Sequence, residues 1–337
     1  MDQFIVITEK FSSEALIKLK NANIGHIEKI PQNLSPQNSL GTNQDSGLKN
    51  FLPQATGLII RSKTKITTEL LNQAPHLKFI ITCTSGFDHI DLAETRKRDI
   101  TVMYTPDANS QSAAELTWSL VLATHRPLLE AHKNIKAGLW NRELLQGQEL
   151  AGKNYGIVGL GRIGQKVLKF AQAFGLNVVV FDPYQDDEVF KHYNVERSSY
   201  EELLKQSDII SFHVPLTRET KNMLNKSHFE YLNRDCVLIN TSRGSVINED
   251  DLIEAIENNL VKAAGLDVFT KEPLPRDSKL LKSSKVILTQ HIGALTEQAF
   301  LKASLEGSSL CIDYIKNNKI KNSLPLNNEW ESLMFND

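Results

Sequence analysis

Three residues in the second half of the chain could hold a carboxylate and move a proton while a hydride is transferred beside them. They are Arg243 in Ile239-Asn-Thr-Ser-Arg243-Gly-Ser, Glu272 in Gly265-Leu-Asp267-Val-Phe-Thr-Lys-Glu272-Pro and His291 in Thr289-Gln-His291-Ile-Gly-Ala. Arginine offers a planar fork of donors that fits a carboxylate and polarises a neighbouring oxygen. Histidine can take a hydroxyl proton and return it. A glutamate bonded to that histidine would fix its tautomer and favour the imidazolium. Singly, each residue has an ordinary structural explanation: a surface arginine, a solvated histidine, a Glu-Pro turn. Each motif, however, follows an apolar strand-like run, and in open parallel sheets ligands bind beyond the carboxyl ends of strands. His213, in Phe212-His-Val-Pro215, fills no role in this scheme and reads as structural.

A hydride needs a carrier, and an earlier stretch is built for one. Tyr155-Gly-Ile-Val-Gly159-Leu-Gly161-Arg-Ile-Gly164 reads as a strand, a glycine turn and the start of a helix. Gly159 would permit the turn, Gly161 the approach of a pyrophosphate, and Gly164 close packing of helix on strand. The helix N-terminus attracts phosphate charge. Val167, Phe170, Ala171 and Phe174 stand at the spacing of one buried helix face, and Gly175 supplies a stop. Asp182 closes the next strand 18 residues after Gly164. It is placed to bond the ribose hydroxyls and to repel a 2′-phosphate, which favours NAD over NADP. Val214 and Pro215 are placed to border the adenine.

Those motifs need parallel α/β scaffolds to position them. Strands are expected near 155–158, 178–181, 209–213, 237–240, 263–267 and 286–289, a doubly wound set of six. Ahead of them, strands at 4–8, 57–60, 79–82 and 101–103 alternate with helices at 13–22, 67–73 and 91–98. A Pro/Asn/Gln/Ser/Gly-rich segment, 31–50, reads as a loop. A helix from Ser110 to His125 would join the two parts, and another would run from Thr296 to Asn317. The expected architecture is α/β, with two doubly wound parallel-sheet domains. A Rossmann cofactor domain, 107–295, is inserted into a smaller flavodoxin-like substrate domain made of 1–106 and 296–337.

Composition narrows the function. The 337 residues are 41% hydrophobic with a formal net charge of −2, so a nucleic-acid partner has no support. No run has the make-up of a signal peptide or a membrane span, and a cytoplasmic protein is expected. Cys83, Cys236 and Cys311 are odd in number and widely spaced, and the nine histidines form no ligand pair, so neither a disulfide framework nor a metal site is expected.

Taken together and in this order, GLGRIG with Asp182, NTSRG, GLDVFTKEP and HIGA make the chain similar to the D-isomer-specific 2-hydroxyacid dehydrogenases, from about Leu58 to Leu305. The resemblance implies that Arg243, Glu272 and His291 are the catalytic trio. It implies cofactor contacts for Thr241, Ser242, Asp267, Gly293 and the backbone of Arg162 and Ile163, and a substrate-carboxylate turn at Ser85-Gly86. It also implies a small-molecule 2-hydroxy or 2-keto acid substrate and a homodimer. Within the family, the segments beginning Arg61-Ser-Lys63, Asn109-Ser-Gln and Leu139-Trp140-Asn-Arg142 resemble the branch that oxidises D-3-phosphoglycerate to 3-phosphohydroxypyruvate in serine biosynthesis. Arg61, Lys63 and Arg142 would then be the cations that meet the phosphate. Thr82 departs from the pattern, because some members carry an arginine there. The chain ends soon after the helix following His291, so the C-terminal regulatory domains of longer relatives are not expected. The alternatives are a hydroxypyruvate or glyoxylate reductase and, in a different class, an NAD-sensing corepressor.

Overall fold

The computed structural model describes residues 3–31 and 47–324. Most of the 31–50 loop expectation therefore lies outside the described residues, as does the C-terminal tail. The described chain forms two compact units, one running up to Asn109 and resuming at Leu295, the other spanning Ser110–Ala294.

The first unit begins with β1 (Phe4–Ile7), α1 (Ser13–Asn21), β2 (His26–Lys29), β3 (Gly57–Ile60), α2 (Thr68–Asn72), β4 (Phe79–Thr82), α3 (Leu92–Lys97) and β5 (Thr101–Tyr104). The second holds α4 (Ser110–His125), α5 (Leu128–Lys136), β6 (Asn154–Val158), α6 (Arg162–Ala173), β7 (Asn177–Phe181), α7 (Asp187–Tyr193), α8 (Tyr200–Gln206), β8 (Ile209–Phe212), α9 (Lys226–Phe229), β9 (Val237–Asn240), α10 (Glu249–Glu257), β10 (Ala263–Leu266) and β11 (Val286–Leu288). The chain then returns to the first unit with α11 (Glu297–Asn317) and β12 (Ser323–Leu324).

The first sheet has the order β12-β5-β4-β3-β1-β2, parallel throughout except for β12 against β5. The second, β11-β10-β9-β8-β6-β7, is wholly parallel. Strands β3, β4, β8 and β9 are buried at every position, as continuous apolar runs covered by helices on both faces must be. Strand order reverses between β1 and β3 in the first sheet and between β6 and β8 in the second. These are the switch points where adjacent loops diverge and leave a crevice.

Two sequence expectations change. Strand β2 and the antiparallel β12 are additions; both are short edge strands, and the polar His26-Ile-Glu-Lys29 lacks the apolar run that marks a central strand. The buried face of α6 is Gly164, Val167, Leu168 and Ala171. Phe174 lies past the last turn as the C-cap, 46% exposed, with its ring 4.9 Å from that of Trp118. The helix stop at Gly175 has a left-handed φ of +74°. Helix α4 packs on α6, β9 and β10, which makes it part of the second unit.

Candidate active site

The glycine turn after β6 uses its three glycines for three different reasons. Gly159 has a φ of +95°, and a Cβ there would lie 2.7 Å from the His213 carbonyl oxygen and 2.9 Å from Val214 Cγ1. That contact sets the turn against the end of β8, at the switch point. A Cβ on Gly164 would sit 2.0 Å from the Gly159 carbonyl oxygen, so α6 rests directly on the turn. A Cβ on Gly161 would meet nothing among the described residues within 4 Å. Packing does not require glycine at 161; the bare backbone leaves open space at the start of α6. Gly161 is also the N-cap and has no side chain to accept the first amides. A helix N-terminus with open space beside its N-cap fits a pyrophosphate. Arg162 and Ile163 are the first two residues of that helix.

Asp182 follows β7 and ties this turn down. Its Oδ2 accepts the Leu160 amide at 2.7 Å, and its Oδ1 accepts the Tyr184 and Gln185 amides at 2.9 and 3.0 Å. The Gln185 side chain donates to the Leu160 carbonyl at 2.8 Å. The residue placed by sequence to face the ribose is thus also the anchor of the glycine turn. Val214 packs against the apolar core, whereas Pro215 is exposed and its carbonyl accepts the Thr220 hydroxyl at 2.6 Å. His213 Nε2 and Ser211 Oγ are 2.8 Å apart, and desolvation of the imidazole pushes its pKa down to about 3.

Arg243 is positioned by Asn240, the buried last residue of β9. Asn240 Oδ1 accepts the Ser242 amide at 3.0 Å and hydroxyl at 2.8 Å, while its Nδ2 donates to the Arg243 carbonyl at 2.9 Å. The Thr241 hydroxyl lies 2.7 Å from that of Thr117 on α4. A Cβ on Gly244 would be 1.9 Å from the Phe269 carbonyl carbon, so this turn lies against the backbone leading to Glu272. Arg243 Nη1 donates to the Ser242 carbonyl at 2.7 Å.

Asp267, just after β10 and 1% exposed, shapes the turn that carries His291. Its Oδ1 accepts the Thr289 hydroxyl at 2.6 Å and the Ile292 amide at 2.8 Å; its Oδ2 accepts the Gly293 amide at 2.9 Å. Its carbonyl accepts the His291 amide at 2.8 Å. The clamp holds His291 at a φ of +54°, a region that costs energy for a residue with a Cβ. The Gly293 carbonyl is fixed in turn by the Ser112 hydroxyl at 2.6 Å.

Glu272 and His291 meet at 2.7 Å, Oε2 to Nδ1, although 19 residues separate them. Glu272 Oε1 accepts the Phe269 amide at 3.1 Å. Partial burial works to raise this carboxyl. The hydrogen bond and charge of His291, the Phe269 amide and the Arg243 guanidinium outweigh it, so the pKa falls below the ordinary carboxylate value. With Nδ1–H given to Glu272, the neutral ring presents Nε2 as its base.

Arg61, Ser85 and Gly86 belong to the first unit. Arg61 follows β3, with its guanidinium carbon 5.2 Å from the centroid of the Phe300 ring and a buried Nη1 without a hydrogen-bond partner among the described residues. The Ser85-Gly86 turn is braced by Thr84, whose hydroxyl donates to the Gly86 carbonyl at 2.7 Å. Thr82 is fully buried beneath it, 2.5 Å from Thr84 Oγ1 and 3.1 Å from His89 Nε2. Cys83 is sealed in the core, and burial pushes its thiol up to about 12 against the pull of Arg61. Lys63 and Arg142 are exposed, the latter in the second unit. Among the described residues, no group of three His, Cys, Asp or Glu side chains is arranged to hold a metal, and no helix is long and apolar enough to cross a membrane. Asn240, Thr289 and the clamping role of Asp267 escaped sequence reasoning. A buried asparagine ending an apolar strand is the signal that could have found the first.

The fold and the second unit's turn define a two-unit α/β protein with a dinucleotide-binding unit. Residues 118–293 match the family model described as D-isomer specific 2-hydroxyacid dehydrogenase, NAD binding domain, and the chain belongs to that family. It is 36% identical over 322 residues to D-3-phosphoglycerate dehydrogenase of Bacillus subtilis, covering 96% of this chain and 59% of that one. It is 38% identical over 262 residues to a hydroxypyruvate reductase of Thermotoga maritima, covering 77% of this chain and 84% of that one. The crystal structure of D-lactate dehydrogenase from Aquifex aeolicus complexed with NAD and lactic acid superposes with a TM-score of 0.79 at 28% identity, covering 94% and 96% of the two chains. The chain spans only a little over half the length of the phosphoglycerate dehydrogenases it matches, 59% and 54% for the first two.

Proposed function

We propose that the protein is an NAD-dependent D-2-hydroxyacid dehydrogenase whose substrate pair is D-3-phosphoglycerate and 3-phosphohydroxypyruvate. The observation that carries the chemistry is the 2.7 Å bond between Glu272 and His291, beside the Arg243 turn and at strand ends of the sheet that bears the glycine cradle. Bound NAD supplies the hydride acceptor. His291 Nε2 takes the proton of the C2 hydroxyl as the hydride leaves, and returns it in reduction. Glu272 holds the imidazole by Nδ1 and stabilises the imidazolium. Arg243 holds the substrate carboxylate and polarises the C2 oxygen. In the first unit, the Ser85-Gly86 backbone is assigned to a substrate carboxylate and Arg61 to the phosphate, its Nη1 being buried with no hydrogen-bond partner among the described residues. Two features support a homodimer. Helix α5 buries none of its residues, and Trp140 and Leu144 just beyond it are 76% and 82% exposed. Three buried free thiols suit the reducing cytosol.

One observation favours a second reading, reduction of an unphosphorylated acid such as hydroxypyruvate or glyoxylate. Thr82, where some relatives place an arginine, is enclosed by Thr84 and His89 and offers no charge. NADH oxidation with phosphohydroxypyruvate beside hydroxypyruvate separates the two. The proposal expects a kcat/KM at least about tenfold higher for the phosphorylated acid, the value of one good ionic contact. Equal or inverted preference moves the protein to the second reading, and absence of turnover on any 2-keto acid would favour a sensing role.

A further inference from the structure

We infer that Glu9 is a positioning residue for substrate: it holds the Arg61–Thr64 loop in the shape that presents the Arg61 guanidinium to an anion. Glu9 lies just beyond β1 and Arg61 just beyond β3, the adjacent strands between which the order of the first sheet reverses. Parallel α/β sheets bind ligands at that place, outside the carboxyl ends of the strands. Glu9 is 8% exposed, and a carboxylate so enclosed needs partners. One oxygen, Oε1, accepts three backbone amides: Arg61 at 3.0 Å, Lys63 at 3.2 Å and Thr64 at 2.9 Å. A second bond across the same gap joins the Thr8 and Thr64 hydroxyls at 2.7 Å. The loop is thereby curled around a single acceptor belonging to another strand.

The consequence falls on Arg61. Its backbone is fixed by Glu9, its guanidinium stands over the Phe300 ring at 5.2 Å, and its Nη1 is buried with no hydrogen-bond partner among the described residues. A buried donor without an acceptor is costly, the more so when charged, unless a ligand supplies the acceptor. An aromatic face beneath the fork and a pinned backbone above it fix the direction in which that donor points. The ligand class that satisfies it is an oxyanion, here the phosphate or carboxylate of the acid. This inference rests on the proposed reading of Arg61 as the anion receptor.

The test measures KM and kcat for phosphohydroxypyruvate, with NADH affinity by fluorescence, in Glu9→Ala, Glu9→Asp, Glu9→Gln and Arg61→Ala. Glu9→Asp keeps the charge but withdraws the oxygen by one methylene; Glu9→Gln loses the charge but keeps an acceptor at the right reach. The expected result is a rise of about tenfold in KM for the Ala and Asp variants, with kcat and NADH affinity within about threefold, and recovery of most of the affinity in the Gln variant. If Glu9→Ala does not fold, the Asp and Gln pair decides alone. A Gln variant worse than the Asp variant would assign the effect to charge and overturn the proposal. Unchanged KM in the Asp variant, while Arg61→Ala raises it, would overturn the role of Glu9 and leave the receptor standing. Unchanged KM in Arg61→Ala would overturn both.

Discussion

At the scale of single residues, the chemistry depends on which donor faces which acceptor. Glu272 has its pKa lowered chiefly by His291, against the opposing effect of burial. The sign follows directly. A carboxyl whose folded-state pKa lies below its unfolded value contributes stability that is complete above the unfolded value, about 4.3, and is lost as pH falls through the folded one. The melting temperature of the native protein should therefore exceed that of Glu272→Gln by a steady margin at about pH 5 to 6, and the margin should close below about pH 4. A margin that persists in acid would mean that the charge of Glu272 is not what the pair uses. His291, Glu272 and Arg243 could be read from sequence because each stands in a short motif after an apolar run. The saturation of the Asp182 and Asp267 carboxylates could not. Their donors come from residues up to 26 positions away, and only the packed strands bring them together. Glu9 is a stronger instance, since its three donors lie 52 to 55 residues downstream.

At the scale of elements, the strand–turn–helix from β6 through α6 offers a controlled contrast. Gly161 faces open space and Gly164 faces the Gly159 carbonyl oxygen at 2.0 Å from a would-be Cβ. Gly161→Ala should fold with native stability and bind NADH more weakly, because the added methyl occupies the cradle. Gly164→Ala should lose about 1–3 kcal/mol of stability, the usual cost of overpacking. Chemical denaturation and NADH titration on the two variants check this, and equal stability losses would contradict the division of roles. The central strands were legible because they are uninterrupted apolar runs, as in Val237-Leu-Ile239. Strand β2 was hidden because an edge strand needs no such run, and Phe174 was misplaced because helical periodicity does not say where the last turn ends.

At the scale of the whole molecule, the proposed dimer rests on the apolar side chains that follow α4. Leu128, Ile135, Trp140 and Leu144 are all exposed in the single chain. Exposed apolar residues that form one patch mark association surfaces. A second copy is the occupant the account expects, so light scattering should return twice the chain mass, and Trp140→Glu with Leu144→Glu should halve it. A monomeric native protein would remove the dimer from the account.

The central claim is that this chain moves a hydride between nicotinamide and C2 of a 2-keto acid, with His291 as the acid and base. The most direct measurement follows deuterium from NADH deuterated at C4 into product with phosphohydroxypyruvate, for the native protein and for His291→Ala. Deuterium is expected at C2 of the D-product for the native protein. A rate about 10²–10⁴ lower is expected for the variant, while NADH still binds it. Absence of label from the native protein, or an undiminished rate in His291→Ala, would contradict the claim.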